Sequence, residues 1–380
     1  GDIMTSGPPR QTRLLGIGPS TPPYSASQNH ARSFMSRVMS AGLDDADADA
    51  LAWKLEAIFE NSGIERRHTC VEDYLREDPS EFEFFPKNWA LAPAVGTRRR
   101  MQKFRESVLD LAEDAARQAM DRADVAPSDV SHVVFCTCTG FFAPGPDILL
   151  TQRLGIPSHA DRTQVGFMGC YAGFSGMRVA DRVARTEPDG VVLQIAAELC
   201  TLHFQTYPDT ENIVANRLFA DGCGAAVYSA GDDYGPGLAT IHNQASDVGG
   251  DSLEQMGWEV GDHGFQMTLS SAVPDTLSAH LPRFVDGMLD AAGFGRSDVD
   301  NWAFHPGGRK IVEAGLESLG LEDRALETAF EVLRDYGNMS SATIFFVLER
   351  ELERAATGAT LTALGFGPGL TIEGAVLTRS

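Results

Sequence analysis

The sequence predicts a mixed α/β protein made of two related halves. Short apolar runs of buried-strand type, at 133–136, 191–196 and 224–228, alternate with stretches of helical period. The alternation stops near Ala230 and begins again, so 13–230 and 231–380 read as an N-terminal and a C-terminal half of the same kind, without a residue-level repeat. The chain's 380 residues, 43% of them hydrophobic, are enough for a large core. The alternation implies a mostly parallel sheet covered on both faces.

Taken in order, Gly1-Asp2-Ile3 ahead of Met4 reads as an expression scar, and the Pro- and Gly-rich segment 5–12 as a disordered N-terminus. Ala48, Leu51, Leu55, Ile58 and Phe59 recur at helical spacing over 44–62. Ile64-Glu65-Arg66-Arg67-His68 follows as a basic cluster in a turn, either a solvated face or a phosphate contact. The stripe Met101, Phe104, Val108, Leu111, Ala115 and Ala119 makes 97–123 a long helix. Arg98, Arg99 and Arg100 at its start oppose the helix dipole, so they must be paired or face solvent or an anion. A strand at 133–136 runs into the polar turn Thr137-Cys138-Thr139-Gly140, then a helix at 147–154, a strand into Cys170 and a helix to about Arg185. Strands at 191–196 and 224–228 close the first half. The second half reads as strands at 237–243 and 265–269, a helix at 274–292 and a strand at 301–304. Helices at 310–319, 325–336 and 341–351 follow, then strands at 359–365 and 370–379.

A net charge of −22 argues against nucleic acid and anionic membrane surfaces as partners, because the long-range field has the wrong sign. It also opposes an anionic coenzyme, although screening over about 10 Å lets a local basic patch hold phosphate. No run of about 18 apolar residues exists to span a membrane, and no charged-then-apolar leader is seen. The six cysteines, at 70, 136, 138, 170, 200 and 223, have neither metal nor CxxC spacing and do not make a disulfide framework. No histidine pair has helical metal spacing. A reducing cytoplasm and no metal are the expectations.

The chemistry is placed at Gly166-Phe-Met-Gly-Cys170-Tyr-Ala-Gly-Phe-Ser-Gly-Met177, a β-prone run that turns sharply into a helix of small residues. A thiol at a helix start is favoured as thiolate, and thus as a nucleophile; the alternative is an inert core cysteine. Gly173 and Gly176 cost about 1 kcal/mol each against alanine in a helix, which calls for close packing of another backbone against it. His305 ends a strand ahead of Pro306-Gly307-Gly308, and Asn338 lies between two helices in Tyr336-Gly337-Asn338-Met339-Ser340-Ser341. Singly, each suits a structural role, a hydrogen-bonded histidine and an N-cap. Together they suggest thiol chemistry with an imidazole partner and an amide donor. A papain-like protease has the same order, but its cysteine context differs from the one here. Gly365-Phe-Gly-Pro-Gly369 is tight enough to bound a narrow tunnel and lacks the helix and Lys-Ser/Thr of a phosphate loop.

With these motifs the chain resembles the type III polyketide synthases, the chalcone-synthase-like branch of the thiolase superfamily. The likeness is carried by Gly-Cys-Tyr-Ala-Gly at 169–173, Phe-His-Pro-Gly-Gly at 304–308, Tyr-Gly-Asn-Met-Ser-Ser at 336–341 and Gly-Phe-Gly-Pro-Gly-Leu-Thr-Ile-Glu at 365–373. It implies a thiolase fold, five layers αβαβα with one sheet from each half, in a homodimer. The implied reaction is iterative decarboxylative condensation of malonyl-CoA onto an acyl-CoA starter, with no metal or redox cofactor. By motif position Cys170 carries the growing chain, and His305 and Asn338 hold thioester carbonyls.

The resemblance also assigns Phe219 as an aromatic gate between the CoA tunnel and the cavity, with core packing as its alternative. Lys54 falls on a CoA-phosphate lysine, but Ala57 and Asn61 stand where the plant enzymes are basic, so Arg66 or Arg67 is expected to help. Lys310 follows the histidine motif near the CoA arm. Ser340, Gly367 and Pro368 are expected at the substrate, with Cys138 and His203 replacing cavity threonines and Met267 a second gating phenylalanine. Cys138 could be core, a cavity wall or a second thiol, and a cavity wall fits best. Ala143 stands where a methionine reaches into the partner subunit. Met256-Gly257-Trp258 is similar to bacterial members that make alkylpyrones or alkylresorcinols. The expectation is therefore a pyrone or a resorcinol/phloroglucinol-type product, with a fatty acyl-CoA as the candidate starter. The alternatives are an initiating ketosynthase fed by acyl carrier protein and a Cys-His-Asn hydrolase.

Overall fold

The computed structural model describes residues 10–187, 189–249 and 251–380. The scar at 1–3 and most of the N-terminal segment assigned as disordered lie outside the described residues, while Thr12 is already buried. The first half contains β1 (Arg13–Ser20), β2 (Tyr24–Ser27), α1 (Gln28–Ser40), α2 (Asp45–Glu60), β3 (Arg66–Thr69), α3 (Thr97–Ala123), β4 (His132–Thr137), α4 (Pro146–Leu154), β5 (Asp161–Gly166), α5 (Ala172–Thr186), β6 (Val191–Leu199), α6 (Thr210–Leu218) and β7 (Asp221–Ser229). The second contains β8 (Ala239–Val248), β9 (Met256–Gly261), β10 (Gly264–Leu269), α7 (Val273–Ala292), β11 (Asn301–Phe304), α8 (Arg309–Leu319), α9 (Glu327–Tyr336), α10 (Thr343–Arg354), β12 (Thr360–Gly367) and β13 (Thr371–Arg379).

Nine strands form one sheet in the order β11-β12-β13-β8-β1-β7-β6-β4-β5. The two halves thus contribute four and five strands, joined where β1 meets β8 over only Arg13↔Thr240 and Leu14↔Ala239. Only β4·β5, β4·β6 and β11·β12 are parallel, so the mostly parallel sheet expected from alternation is not what forms. β12 and β13 are joined by a short loop and therefore pair antiparallel, and β7, β1 and β8 are antiparallel to their neighbours.

Side-chain alternation on the strands builds the layers. On β6, Val191, Leu193 and Ile195 face the core under α3 with Phe104, Val108 and Leu111, while Val192 and Ala196 face the opposite core. That opposite core is the middle layer, where α5 (Phe174, Met177, Ala180) and α10 (Ile344, Phe345, Leu348) are packed between strands of both halves. A third core sets α7 and α8 (Leu277, Val285, Val312) against Phe304, Ile372 and Val376. The expected separate sheet from each half is instead one continuous sheet, whose five-strand and four-strand sections enclose the middle helices and carry outer helices on their other faces, giving the helix–sheet–helix–sheet–helix stack of the thiolase fold.

Gly173 and Gly176 are explained by this middle layer. A Cβ on Gly173 would come within 3.0 Å of the Ser341 carbonyl and of Ile344 on α10, so a neighbouring backbone does press on α5 there. At Gly176 the close neighbours are instead side chains, Gln194 and Cys136. Arg100 is buried and donates to the carbonyls of Val95 (2.9 Å), Leu202 (2.6 Å) and Phe204 (3.0 Å), with burial lowering its pKa to about 10. Arg99 reaches Glu106 at 3.2 Å. The basic cluster at 64–68 is largely not a turn: Arg66 to Thr69 form β3, paired antiparallel with β2.

Candidate active site

Cys170 lies between β5 and α5 in a turn that contains Phe167 at φ +58° and Gly169 at φ +97°. A Cβ on Gly169 would sit 2.6 Å from the Pro368 ring, and one on Gly367 would sit 2.5 Å from the Tyr171 ring. The glycine-rich C-terminal loop therefore closes directly over the cysteine, and only residues without side chains fit there. Burial pushes the Cys170 thiol up to about 11; hydrogen bonds from Ser340 and Asn338 pull the other way, while the charge of Glu198 adds to the rise. Amides at the helix start are already used, Ala172 N–H on Gly169 O (3.0 Å) and Phe174 N–H on Tyr171 O (2.9 Å). The thiolate expected from helix position alone is thus outweighed by desolvation.

His305 follows β11, is 1% exposed, and neither ring nitrogen has a hydrogen-bond partner among the described residues. Burial holds its pKa down at about 4, so the imidazole is neutral. Asn338 is fixed by its backbone, donating to Leu218 O (2.9 Å) and accepting from Ala220 N–H (2.8 Å). Its side chain accepts from Ser340 N–H (2.8 Å) and donates to Gly307 O (3.2 Å), and both of its terminal atoms lie 3.9–4.0 Å from Cys170 Sγ. Cys170, Asn338 and the loop that follows His305 are thereby brought together from opposite halves of the chain.

One cavity opens onto the cysteine. Its wall includes Cys170, Cys138, His203, Phe219, Met267, Ser340 and Pro368, so six of the nine residues expected at the substrate line one cavity together with the cysteine. Gly367 packs behind the wall. Lys54 and Lys310 do not line the cavity: Lys54 donates to Pro208 O at 3.0 Å, and Lys310 is exposed on α8. Arg66 donates to Ser25, and Arg67 lines the cavity with donors committed to protein carbonyls. His203 has both ring nitrogens occupied, Nε2–H donating to Thr139 O (2.6 Å) and Nδ1 accepting from Phe265 N–H (2.9 Å). It therefore presents a ring face, stacked 4.1 Å from Phe265, with no free donor for a substrate.

Glu198 and Trp258 were missing from the expected set. Glu198, fully buried near the end of β6, accepts from Thr139 Oγ1 (2.7 Å), Thr137 Oγ1 (3.1 Å), Ser341 Oγ and Cys138 N–H. It ties Cys138, itself 3.3 Å from Ser340 Oγ, to the catalytic side of the cavity, and burial raises its pKa. Its signal was available as an acid inside the apolar run Val-Val-Leu-Gln-Ile-Ala-Ala-Glu-Leu. Trp258 donates from its indole to Cys138 O at 2.6 Å and closes the wall edge-on against His203 and Phe265.

This cavity, with its cysteine at a strand–helix turn, sits in a chain whose residues 6–232 match the family model for the N-terminal domain of chalcone and stilbene synthases and whose residues 242–380 match that for the C-terminal domain. The chain belongs to the chalcone and stilbene synthase family, the type III polyketide synthases. This type III polyketide synthase is 29% identical to the alpha-pyrone synthesis polyketide synthase-like Pks18 of Mycobacterium tuberculosis, over 98% of this chain and 92% of that one. It is 30% identical to the 3,5-dihydroxyphenylacetyl-CoA synthase of Streptomyces toyocaensis, over 97% of this chain and 90% of that one. The crystal structure of PKS-I from the brown alga Ectocarpus siliculosus superposes on the synthase with a TM-score of 0.91 at 30% identity, covering 99% of this chain and all of that one.

Proposed function

We propose that this synthase extends an acyl-CoA starter with malonyl-CoA on Cys170, with His305 and Asn338 as the donors that hold the reacting carbonyl, and releases a pyrone or resorcinol-type product. The observation that carries it is the buried His305 ring without a partner among the described residues, two positions before the Gly307 carbonyl that accepts from Asn338, whose amide lies 3.9–4.0 Å from Cys170 Sγ. Leaving a buried polar atom unpaired costs about 1–3 kcal/mol, and a bound thioester oxygen is the group that would satisfy it. In the loading step Cys170 Sγ attacks the starter thioester, its proton passes to the neutral imidazole, and CoA leaves as the thiol after taking that proton. Malonyl-CoA then loses CO2, and the electron pair of the broken C–C bond moves onto the thioester oxygen. His305 N–H and the Asn338 amide stabilise that enolate oxygen. The enolate carbon forms the new C–C bond at the acyl carbonyl and the sulfur leaves Cys170-bound acyl as thiolate.

A neutral imidazole can accept one proton and donate another, while the raised thiol and the lowered imidazole pKa oppose the transfer between them. The thiol, imidazole and amide carry thioester exchange and condensation between them, so no metal or redox cofactor is called for. A fatty acyl starter is supported by the apolar wall of Phe34, Met35, Met256, Met267 and Phe265, and a pyrone or resorcinol product by the names of the relatives. A homodimer is supported by exposed Phe141, Phe167 and Met168, of which the two phenylalanines pack on the ring of Phe265 in the cavity wall. A reducing cytoplasm is supported by six free cysteines; among the described residues no helix is long and apolar enough to cross a membrane.

The test is incubation with radiolabelled malonyl-CoA and a C2 to C18 series of acyl-CoAs, with mass-spectrometric readout. Label in a carbon–carbon product that Cys170→Ser does not form is the expected result. Label that enters no such product with any starter would overturn the reading.

A further inference from the structure

Among the described residues Arg67 is the only Lys, Arg, Asp or Glu on the cavity wall, in a chain of net charge −22. Its surroundings define what it does. Nε donates to Gln28 Oε1 at 3.0 Å, and Nη1 donates to Asn216 O at 2.8 Å and to Phe219 O at 2.6 Å. Gln28, buried at the start of α1, donates from Nε2 to Arg217 O at 2.8 Å. The pair therefore takes up the carbonyls of residues 216, 217 and 219, where α6 ends and its last carbonyls have no partner within the helix. A cation there also complements the negative end of the helix dipole. Burial lowers the Arg67 pKa to about 10, which leaves it charged at neutral pH.

What the clamp holds is the segment that bears both gate and donor. Phe219 carries the aromatic side chain on the wall, and the residues on either side of it pin the Asn338 backbone, through Asn338 N–H on Leu218 O and Ala220 N–H on Asn338 O. The Arg67 stem also packs on Gly337, where a Cβ would meet it at 2.9 Å. Cys170 is fixed separately, by α5 and the 365–369 loop. We infer that Arg67, together with Gln28, is a positioning residue for Phe219 and Asn338, whose loss falls more heavily on the malonyl half of the reaction than on loading of the starter. This rests on the roles proposed above for Cys170 and Asn338.

The experiment measures two rates on the full-length protein. Starter loading is read as acyl-enzyme formation by intact-protein mass spectrometry, and malonyl-CoA decarboxylation as release of labelled CO2. A donor misplaced by about 1 Å can cost on the order of 100-fold. In Arg67→Ala the ratio of decarboxylation to loading is expected to fall by about 10- to 100-fold, and added guanidinium should restore part of it. Gln28→Leu keeps the guanidinium but removes its Nε acceptor, and should lower the same ratio by a smaller factor; it decides the matter if Arg67→Ala does not fold. A ratio unchanged from wild type in the folded variant, or loading and decarboxylation lost in equal measure without rescue, would overturn the positioning role. Wild-type protein that neither loads starter nor releases CO2 would instead overturn the proposed function itself.

Discussion

Lowering the pH from 7.5 to 5 is expected to weaken the fold, and His203 is one identifiable cause. Its ring is fully buried between Thr139 O and Phe265 N–H, and burial holds its pKa at about 3 against an ordinary 6.5. Between those values the unfolded chain binds a proton that the native ring refuses, so stability falls as pH falls below 6.5. At pH 5 the gap is 6.5 − 5 = 1.5 pH units, and at about 1.36 kcal/mol per unit the loss is about 2 kcal/mol. His305, held at about 4, loses about the same over this range by the same arithmetic. Asp221 opposes them: burial raises its carboxyl to about 6, so protonation between pH 6 and 5 returns about 1 kcal/mol. For these three groups the loss is about 3 kcal/mol, within reach of urea-unfolding midpoints measured across pH; half-buried His68 and His242 add to it, and Glu198 and Glu349, raised by burial, oppose it. His203→Gln keeps a donor for Thr139 O, does not titrate, and leaves Phe265 N–H without its acceptor. It should be less stable than wild type at pH 7.5 by about 1–3 kcal/mol, yet lose about 2 kcal/mol less than wild type on going to pH 5. An identical loss in both proteins would refute the assignment of that slope to His203.

Cys170→Ser should abolish the acyl-enzyme mass shift and all extended product while leaving the urea midpoint within error, since a hydroxyl fits where the thiol sits. Gly173→Val should lower the thermal midpoint by several degrees, because its Cβ would press within 3.0 Å of the Ser341 carbonyl and Ile344, an overpacking cost of about 1–3 kcal/mol. Trp258→Ala should shift the product profile toward longer starters or more extensions, read by mass spectrometry, because it removes an indole that closes the wall through Cys138 O. Lys310→Ala should change the KM for CoA thioesters only slightly, and less at high salt, because the side chain is exposed and off the cavity wall.

Most of the element pattern was legible. The 97–123 helix and the strand at 301–304 are where their periodicity placed them, and Cys170, His305 and Asn338 each stand at an element end as read. Legibility failed where structure depends on partners distant in the chain. The cluster at 64–68 looks like a turn in isolation, and Arg66–Thr69 become a strand because residues 24–27 supply the ladder. Strand direction was also invisible, since alternation of helix and strand does not say which neighbour a strand takes. β7 and β8 follow one another in the chain, yet β1, from the opposite end of the first half, lies between them and pairs antiparallel with both.

Four short motifs carried the resemblance to the family, and local patterning alone gave the two halves and the candidates Cys170, His305 and Asn338, because glycines, turns and a cysteine before a small-residue helix are local signals. Protonation and partnership were decided only by tertiary structure. Whether Cys170 rests as thiol or thiolate depends on how much water the folded halves exclude, and whether Arg67 meets a phosphate or a helix end depends on where α6 stops. Both are consequences of packing between segments up to 200 residues apart, as between Cys138 and Ser340, and no window of sequence contains them.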